Sequence, residues 1–202
     1  MQRINRDFVS QKAETLVSSV CKWVARYSGT WFEIGRYQQR DEPEADCHSS
    51  SYSWGFISNA FRIFRTGHDF TTGEDFARDA EALLSFPSEG LADRLGLLNV
   101  TYYADREADE VNYYVMGTDY FQYAVGWGCE NLDGGRSREY AWLLSRTPEL
   151  PESYQERVDA YIDEYFDREF IRDTDQAEER CLNRTLPSGE LRTKVHYLPI
   201  NN

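Results

Sequence analysis

Short runs of alternating apolar and polar residues recur along the chain from Trp31 onward, separated by residues that favour turns. This spacing is typical of an all-β sandwich or an up-and-down barrel. The predicted strands are Trp31–Tyr37, His48–Trp54, Asn59–Arg65, Phe76–Phe86, Leu95–Tyr103, Val111–Gly117, Tyr120–Cys129 and Glu139–Ser145. Turn chemistry is present at Thr66-Gly67, at 87–90 and at 133–135. Eight strands are enough to close a barrel that holds one small ligand.

A helical pattern follows the last predicted strand. Between Tyr154 and Phe166 the apolar residues recur at three- and four-residue steps. Pro151 is expected at the first helical position, with Glu152 in the first turn facing the positive end of the helix dipole. The pattern predicts an amphipathic helix of about four turns. It has to lie outside the barrel, because a ligand-sized interior leaves no room for it.

Composition narrows the classes of partner. The 202 residues fit one domain. Only 41% of the residues are hydrophobic, but aromatic residues make up 15% and supply a large buried area each. A net charge of -13 argues against a nucleic acid or an anionic membrane as partner. Membrane insertion is not expected, since no apolar run approaches the roughly 18 residues that a spanning helix needs.

The two ends of the chain carry no folding pattern. Residues 1–20 lack the basic start and continuous apolar run of a secretory signal, so a signal has been removed or the native start differs. They are treated as an N-terminal segment of uncertain order. Residues 182–202 are interpreted as a C-terminal tail.

The chain has four cysteines: Cys21, Cys47, Cys129 and Cys181. They are too far apart for zinc-binding spacings, and their even number favours two disulfides, with three pairings open. Glycosylation motifs begin at Asn99 and Asn183. Together these features favour an oxidising compartment and hence a secreted protein.

Three motifs stand in order along the chain. Gly29-x-Trp31 opens the first strand, Thr118-Asp119-Tyr120 precedes the seventh, and Arg146 closes the eighth. With strands between them and a helix after them, they resemble the three signature regions of the lipocalins over about residues 21–181, which we take as the domain.

The motif surroundings resemble one branch of that family. The string TDYFQYA, followed by Cys129 and then AWLLSR, is similar to the apolipoprotein D-like and insect bilin-binding (insecticyanin) branch. The resemblance implies an eight-stranded antiparallel up-and-down lipocalin barrel with one C-terminal helix packed outside. It also implies the disulfides Cys47–Cys181 and Cys21–Cys129. The segment between Cys21 and Gly29 is shorter than is usual in this branch, so the second pairing is the less secure of the two.

The signature residues are expected to close one end of the barrel. Trp31 supplies a wide apolar plate, and Gly29 permits the close backbone approach that brings the chain across the base. Arg146 can place its guanidinium on the indole face, a contact worth roughly 0.5–2 kcal/mol. Its remaining donors are free for backbone carbonyls. These residues are therefore expected to be structural.

Ligand contacts are expected from the inward faces of the strands. If Arg146 points across the base, side-chain alternation places Leu144, Trp142 and Tyr140 on the inner face.

The family resemblance adds further pocket positions. It implies that Tyr52 and Tyr113 face the ligand and that Tyr27 lies near it. By alternation Ser50 and His48 share the face of Tyr52 and would make the pocket rim polar. Ordinary packing is the alternative interpretation for each aromatic residue. The predicted ligand-binding set is Tyr27, Tyr52, Tyr113, Tyr140, Trp142 and Leu144.

The leading functional hypothesis is an extracellular carrier of one small hydrophobic molecule. Bilins such as biliverdin, carotenoids, retinoids, fatty acids and sterols are all open, and the resemblance alone favours a tetrapyrrole. No cofactor or metal is required, although a bilin or carotenoid chromophore could be bound. Homodimerisation is left open.

Two other classes of function compete with the carrier. An enzyme is disfavoured, because the chain has three histidines, no Gly-x-Ser-x-Gly elbow and no metal-ligand pattern. A surface-interaction protein would use the acidic stretch Ala104–Glu110 and the acidic helix, but a solvated exterior explains both.

Overall fold

The computed structural model describes residues 23–38, 45–55, 58, 60–84, 97–102 and 110–181. Within these ranges the strands are β1 (Gly29–Tyr37), β2 (Ala45–Gly55), β3 (Ala60–Asp69), β4 (Glu74–Leu84), β5 (Leu97–Tyr102), β6 (Glu110–Thr118), β7 (Tyr123–Leu132), β8 (Arg136–Ser145) and β9 (Ile171–Asp173). The helices are α1 (residues 23–27), α2 (Glu152–Tyr165) and α3 (Glu178–Cys181), with a 3-10 turn at Arg168–Phe170.

Strands β1 to β8 close into the predicted antiparallel barrel. Each strand from β2 to β7 pairs with the next along the chain, and β1 joins the two edges by pairing with both β8 and β2. Gly29 lies opposite Tyr52, and Phe32 lies opposite Ser145. Every strand runs between a closed end, near Trp31, and an open end, near Tyr37.

One predicted turn is wrong. Thr66 and Gly67 lie inside β3, and the chain turns instead at residues 70–73. A Cβ atom on Gly67 would lie 2.5 Å from the Phe76 ring and 2.6 Å from Nδ1 of His48. The glycine therefore makes room for two inward side chains and does not bend the backbone. The predicted turn at 133–135 is confirmed, with positive φ at both of its glycines, whereas 87–90 lies outside the described residues.

The ninth strand was not predicted. The second half of β1 leaves β2 and pairs with β9, with Gly35 opposite Asp173. β2 bends away at an irregularity between Asp46 and Ser49, where Cys47 has a φ of 55°. The side-chain amide of Gln176 donates to the Glu33 carbonyl at 2.7 Å and to the His48 carbonyl at 2.8 Å, so it bridges the two separated strands.

The disulfide Cys47–Cys181 holds this C-terminal segment against β2, with Cα atoms 5.5 Å apart. The backbone N–H of Cys47 also donates to the Asp175 carbonyl at 2.9 Å. The first of the two implied disulfides is therefore present. Cys129 carries a thiol with no disulfide partner in the described part of the chain, and Cys21 lies outside that part, so their pairing stays a prediction.

Helix α2 packs on the outside of the barrel, as predicted. Its buried residues Val158 and Ile162 contact a cluster that includes Val125 and Leu143. Pro151 precedes the helix as its N-cap rather than serving as its first residue. Tyr165, expected on the apolar face, is 52% exposed. No helix in the described ranges is long and apolar enough to cross a membrane.

Candidate ligand site

The closed end of the barrel is built on Arg146. Its guanidinium carbon lies 3.6 Å from the centre of the Trp31 ring. Its nitrogens donate to the carbonyls of Thr30 at 2.9 Å and Tyr120 at 3.1 Å. Gly29 has a φ of 99°, and a Cβ atom there would lie 3.2 Å from the guanidinium. The glycine thus permits both the backbone bend and the approach of the arginine.

The second motif shapes the turn that receives Arg146. One oxygen of Asp119 accepts hydrogen bonds from the backbone N–H groups of residues 121, 122 and 123 at 2.8–3.1 Å. The Thr118 hydroxyl donates to the Tyr123 carbonyl at 2.6 Å. Tyr120 then takes a φ of 69°, so it lies in a turn before β7 and not in the strand as predicted. The turn presents the Tyr120 carbonyl to Arg146.

An aromatic plug of Trp23, Tyr27 and Phe61 fills the half of the interior next to the closed end. The rings of Trp23 and Tyr27 stack at 5.5 Å, and Phe61 lies 5.8 Å from Trp23 and 6.2 Å from Tyr27. Tyr27 also hydrogen-bonds the Tyr113 hydroxyl at 3.0 Å, and burial raises its pKa. Sequence reasoning missed Trp23 and Phe61, although Phe61 shares the inward parity of Ile63 on β3.

A small cavity remains above the aromatic plug, with a volume of about 30 Å³. It is lined by Glu33, Ser50, Tyr52, Ile63, Arg65, Val100, Tyr113, Trp142 and Leu144. A cavity of this size has room for only a few water molecules. Ligand pockets occupy roughly 300–1,000 Å³. A ligand therefore has to sit higher in the open half of the barrel or displace the side chains that border this cavity.

Four of the six predicted ligand residues line the cavity: Tyr52, Tyr113, Trp142 and Leu144. The other two lie on either side of it. Tyr27 belongs to the aromatic plug below. Tyr140 lies above, stacked on Trp142 with ring centres 5.7 Å apart, and donates to Glu130 at 3.0 Å. The ring of Tyr113 also contacts Trp142, with ring centres 5.2 Å apart.

A buried ionic cluster, which sequence reasoning did not anticipate, borders the cavity. Glu33 is 3% exposed and accepts from Arg36 and Arg65, each at 2.7 Å, and from Thr174 at 3.0 Å. Burial alone would raise the pKa of Glu33, but Arg65 and Arg36 outweigh it and lower that pKa to about 2. Alternation along β1 could have identified Glu33, because it shares the inward parity of Trp31. It could not have placed Arg36 beside Glu33, because the strand register shifts after Glu33.

His48 lies in the same region, buried against Phe76 at a ring distance of 5.4 Å. Neither ring nitrogen makes a hydrogen bond of acceptable geometry within the described ranges. Burial lowers the pKa of His48 to about 3, against the opposing attraction of Glu33. His48 is therefore neutral in the folded protein at physiological pH. His48 was expected to make the pocket rim polar, but its side chain is buried away from solvent.

The remaining candidate positions lie outside the barrel interior or outside the described residues. Asn99 alternates with the buried residues Leu98 and Val100, so its side chain faces outward from β5. Asn183 and most of the acidic stretch 104–110 fall outside the described ranges. Within those ranges no group of three or more potential metal ligands is found.

Comparison with known proteins agrees with this architecture. Residues 23–174 match the lipocalin-like domain family, and the chain belongs to the lipocalins. Lobster apocrustacyanin A1 superposes with a TM-score of 0.65 at 18% identity, covering 82% of this chain and 86% of its own. Insecticyanin from the tobacco hornworm Manduca sexta gives 0.65 at 20% identity, covering 78% and 82%.

A third similar structure is the cockroach allergen Per a 4, with a TM-score of 0.58 at 18% identity, covering 77% of this chain and 89% of its own. No match is found among curated protein sequences. At these identities the structural similarity shows the fold alone, so assignment to the apolipoprotein D-like branch stays a prediction.

Proposed function

We propose that this lipocalin binds and carries a small hydrophobic ligand, which enters through the open end of the barrel. The observation that carries the proposal is the inward aromatic group of Tyr113, Trp142 and Tyr140 at the edge of the cavity. Stacked rings with polar tips suit a ligand that is apolar in its body and polar at one end. The opposite end of the barrel is closed by Arg146 and Trp31.

The filled lower half limits the size and position of the ligand. A molecule resting on Trp142 gains about 25 cal/mol for each Å² of apolar surface that it buries. Bilins, carotenoids, retinoids and fatty acids remain candidates, and the preference for a tetrapyrrole rests on the family resemblance. The Cys47–Cys181 disulfide supports an oxidising, extracellular setting. The proposal assigns no catalytic residue.

Ligand binding is tested with protein produced in a eukaryotic host, where the disulfide forms. Visible absorption and mass spectrometry of extracted small molecules report any bound chromophore. The protein is then titrated with retinol, biliverdin and palmitic acid, and binding is followed by quenching of tryptophan fluorescence and, for retinol, by its own emission. We expect saturable binding of at least one of them.

A matched pair of variants locates the site. Trp142→Ala removes an inward ring and should weaken binding by at least about fivefold, since an aromatic contact is worth about 1 kcal/mol beyond its buried area. Trp127→Ala removes an outward ring, which packs on Tyr114 at 5.4 Å, and should leave affinity unchanged. Failure of all three ligands to bind, or equal effects of the two variants, would contradict the proposal.

A further inference from the structure

A large groove, here called the outer groove, lies on the outside of the barrel between α2 and the segment that carries β9. Its volume is about 670 Å³, against about 30 Å³ for the interior cavity. Its floor is apolar, because Ile34, Leu143 and Ile171 meet Val158 and Ile162 of α2 there. Ile34 and Ile171 are only partly buried. A segment that covered this floor would remove apolar surface from water, which is favourable.

The rim of the outer groove is acidic. Arg168 already bonds Asp159 at 2.9 Å. Glu149 and Asp173 are exposed and form no ion pair within the described ranges. The groove therefore suits an occupant with an apolar face and positive charge. The charged residues of the lining are Glu149, Asp159, Arg168, Asp173 and Asp175.

The C-terminal tail, residues 182–202, has this pattern in its sequence, although it lies outside the described residues. Leu191, Val195 and Tyr197 alternate with Arg192 and Lys194. In an extended chain, alternation places the apolar side chains on one face and the basic ones on the other. The tail has three basic residues and one acidic residue, in a chain whose net charge is -13. Its charge is thus complementary to the rim.

The tail also begins next to the outer groove. Residues 175–177 line the groove, and α3 carries the chain one turn further to Cys181, which the disulfide fixes to β2. The ten positions from Cys181 to Leu191 span up to about 30 Å when extended. Helix α2, with 14 residues, is only about 21 Å long. The alternating part of the tail can therefore reach any point along the groove.

We propose that the C-terminal tail docks in the outer groove as an extended segment beside β9. β9 ends the strand order and has no strand on its outer side within the described ranges. An extended segment added to such an edge gains main-chain hydrogen bonds, and its alternate side chains fill the adjoining surface. Leu191, Val195 and Tyr197 then cover the apolar floor, and the docked tail fastens α2 to the barrel wall. This docking is independent of any ligand in the barrel interior.

Photo-crosslinking of the full chain locates the tail. The photoreactive amino acid p-benzoylphenylalanine replaces Tyr197, and the crosslinked peptides are identified by mass spectrometry. We expect crosslinks within one molecule to residues 148–162 or 171–177, which contain the groove lining. Crosslinks only to other parts of the chain, or none, would overturn the proposal. Covalent dimers would also overturn it, because the groove would then hold the tail of a second copy.

Two variants with the same charge change test the role of the acidic rim. Hydrogen exchange should be slower at residues 191–197 of the full chain than in a free peptide of that sequence. Asp173→Lys should lower this protection by about threefold, since it replaces an attraction at the rim by a repulsion. Glu156→Lys makes the same change at an exposed residue of α2 outside the groove lining, and should preserve the protection. Exchange as fast as in the free peptide, or equal effects of the two variants, would contradict the docking.

Discussion

The free energy of unfolding should depend on the protonation of His48 between pH 5.0 and pH 6.5. Burial lowers the pKa of His48 from its ordinary value of 6.5 to about 3. Below pH 6.5 the His48 side chain therefore binds a proton in the unfolded chain but not in the folded protein. The free energy of unfolding should fall by about 1.4 kcal/mol per pH unit, or about 2 kcal/mol between pH 6.5 and pH 5.0.

The buried carboxylate acts in a different pH window. The pKa of Glu33 is lowered from 4.5 to about 2, so its stabilising ion pairs are fully present above pH 4.5 and are lost as the pH falls through 2. Measurements between pH 5.0 and pH 7.5 therefore exclude the contribution of Glu33.

The assay is urea unfolding of the oxidised protein, followed by tryptophan fluorescence at several pH values between 5.0 and 7.5. His48→Gln cannot titrate and should flatten the dependence. Equal stability of the wild type at pH 5.0 and 7.5, or an unchanged slope in His48→Gln, would refute the reasoning.

Two further predictions concern what holds the barrel together. Arg146→Leu should lower the free energy of unfolding by about 3 kcal/mol, since it removes the contact with Trp31 and several charge-assisted hydrogen bonds. Urea unfolding measures this change, with Arg157→Leu on α2 as the control. A loss below about 1 kcal/mol in Arg146→Leu would contradict the prediction. Cys47→Ser opens a loop of 134 residues and should cost up to about 5 kcal/mol by loop entropy. Cys129→Ser should cost little if its thiol is free, so equal losses in the two cysteine variants would show that Cys129 is also bonded.

Much of the fold follows from local sequence patterns. Alternation located the eight barrel strands to within a few residues, and the three- and four-residue steps located α2. These patterns are local, because each strand or helix buries one face whatever its neighbours are. The prediction of a turn at Thr66-Gly67 is wrong because the local pattern around a glycine has two meanings. Glycine marks turns, but it also marks positions where a side chain would collide, and only the neighbouring strands distinguish the two.

The site was predictable only in part. Alternation from Arg146 placed Tyr140, Trp142 and Leu144 on the inner face, as observed. The aromatic plug was missed, because Trp23 lies before the first strand and nothing in its surroundings shows that its helix enters the barrel. The space left for a ligand depends on how these rings fill the interior, and alternation carries no information on volume.

The sequence by itself determined the fold: a lipocalin barrel whose base is closed by Trp31 and Arg146, residues that lie more than a hundred positions apart. Only the tertiary structure determined which strands and side chains surround and fill the barrel interior. β9 pairs with the second half of β1 through backbone hydrogen bonds, which leave no side-chain pattern. Glu33 and Arg65 meet because strand register sets which inward residues are neighbours, and their ion pair forms only once the barrel has closed.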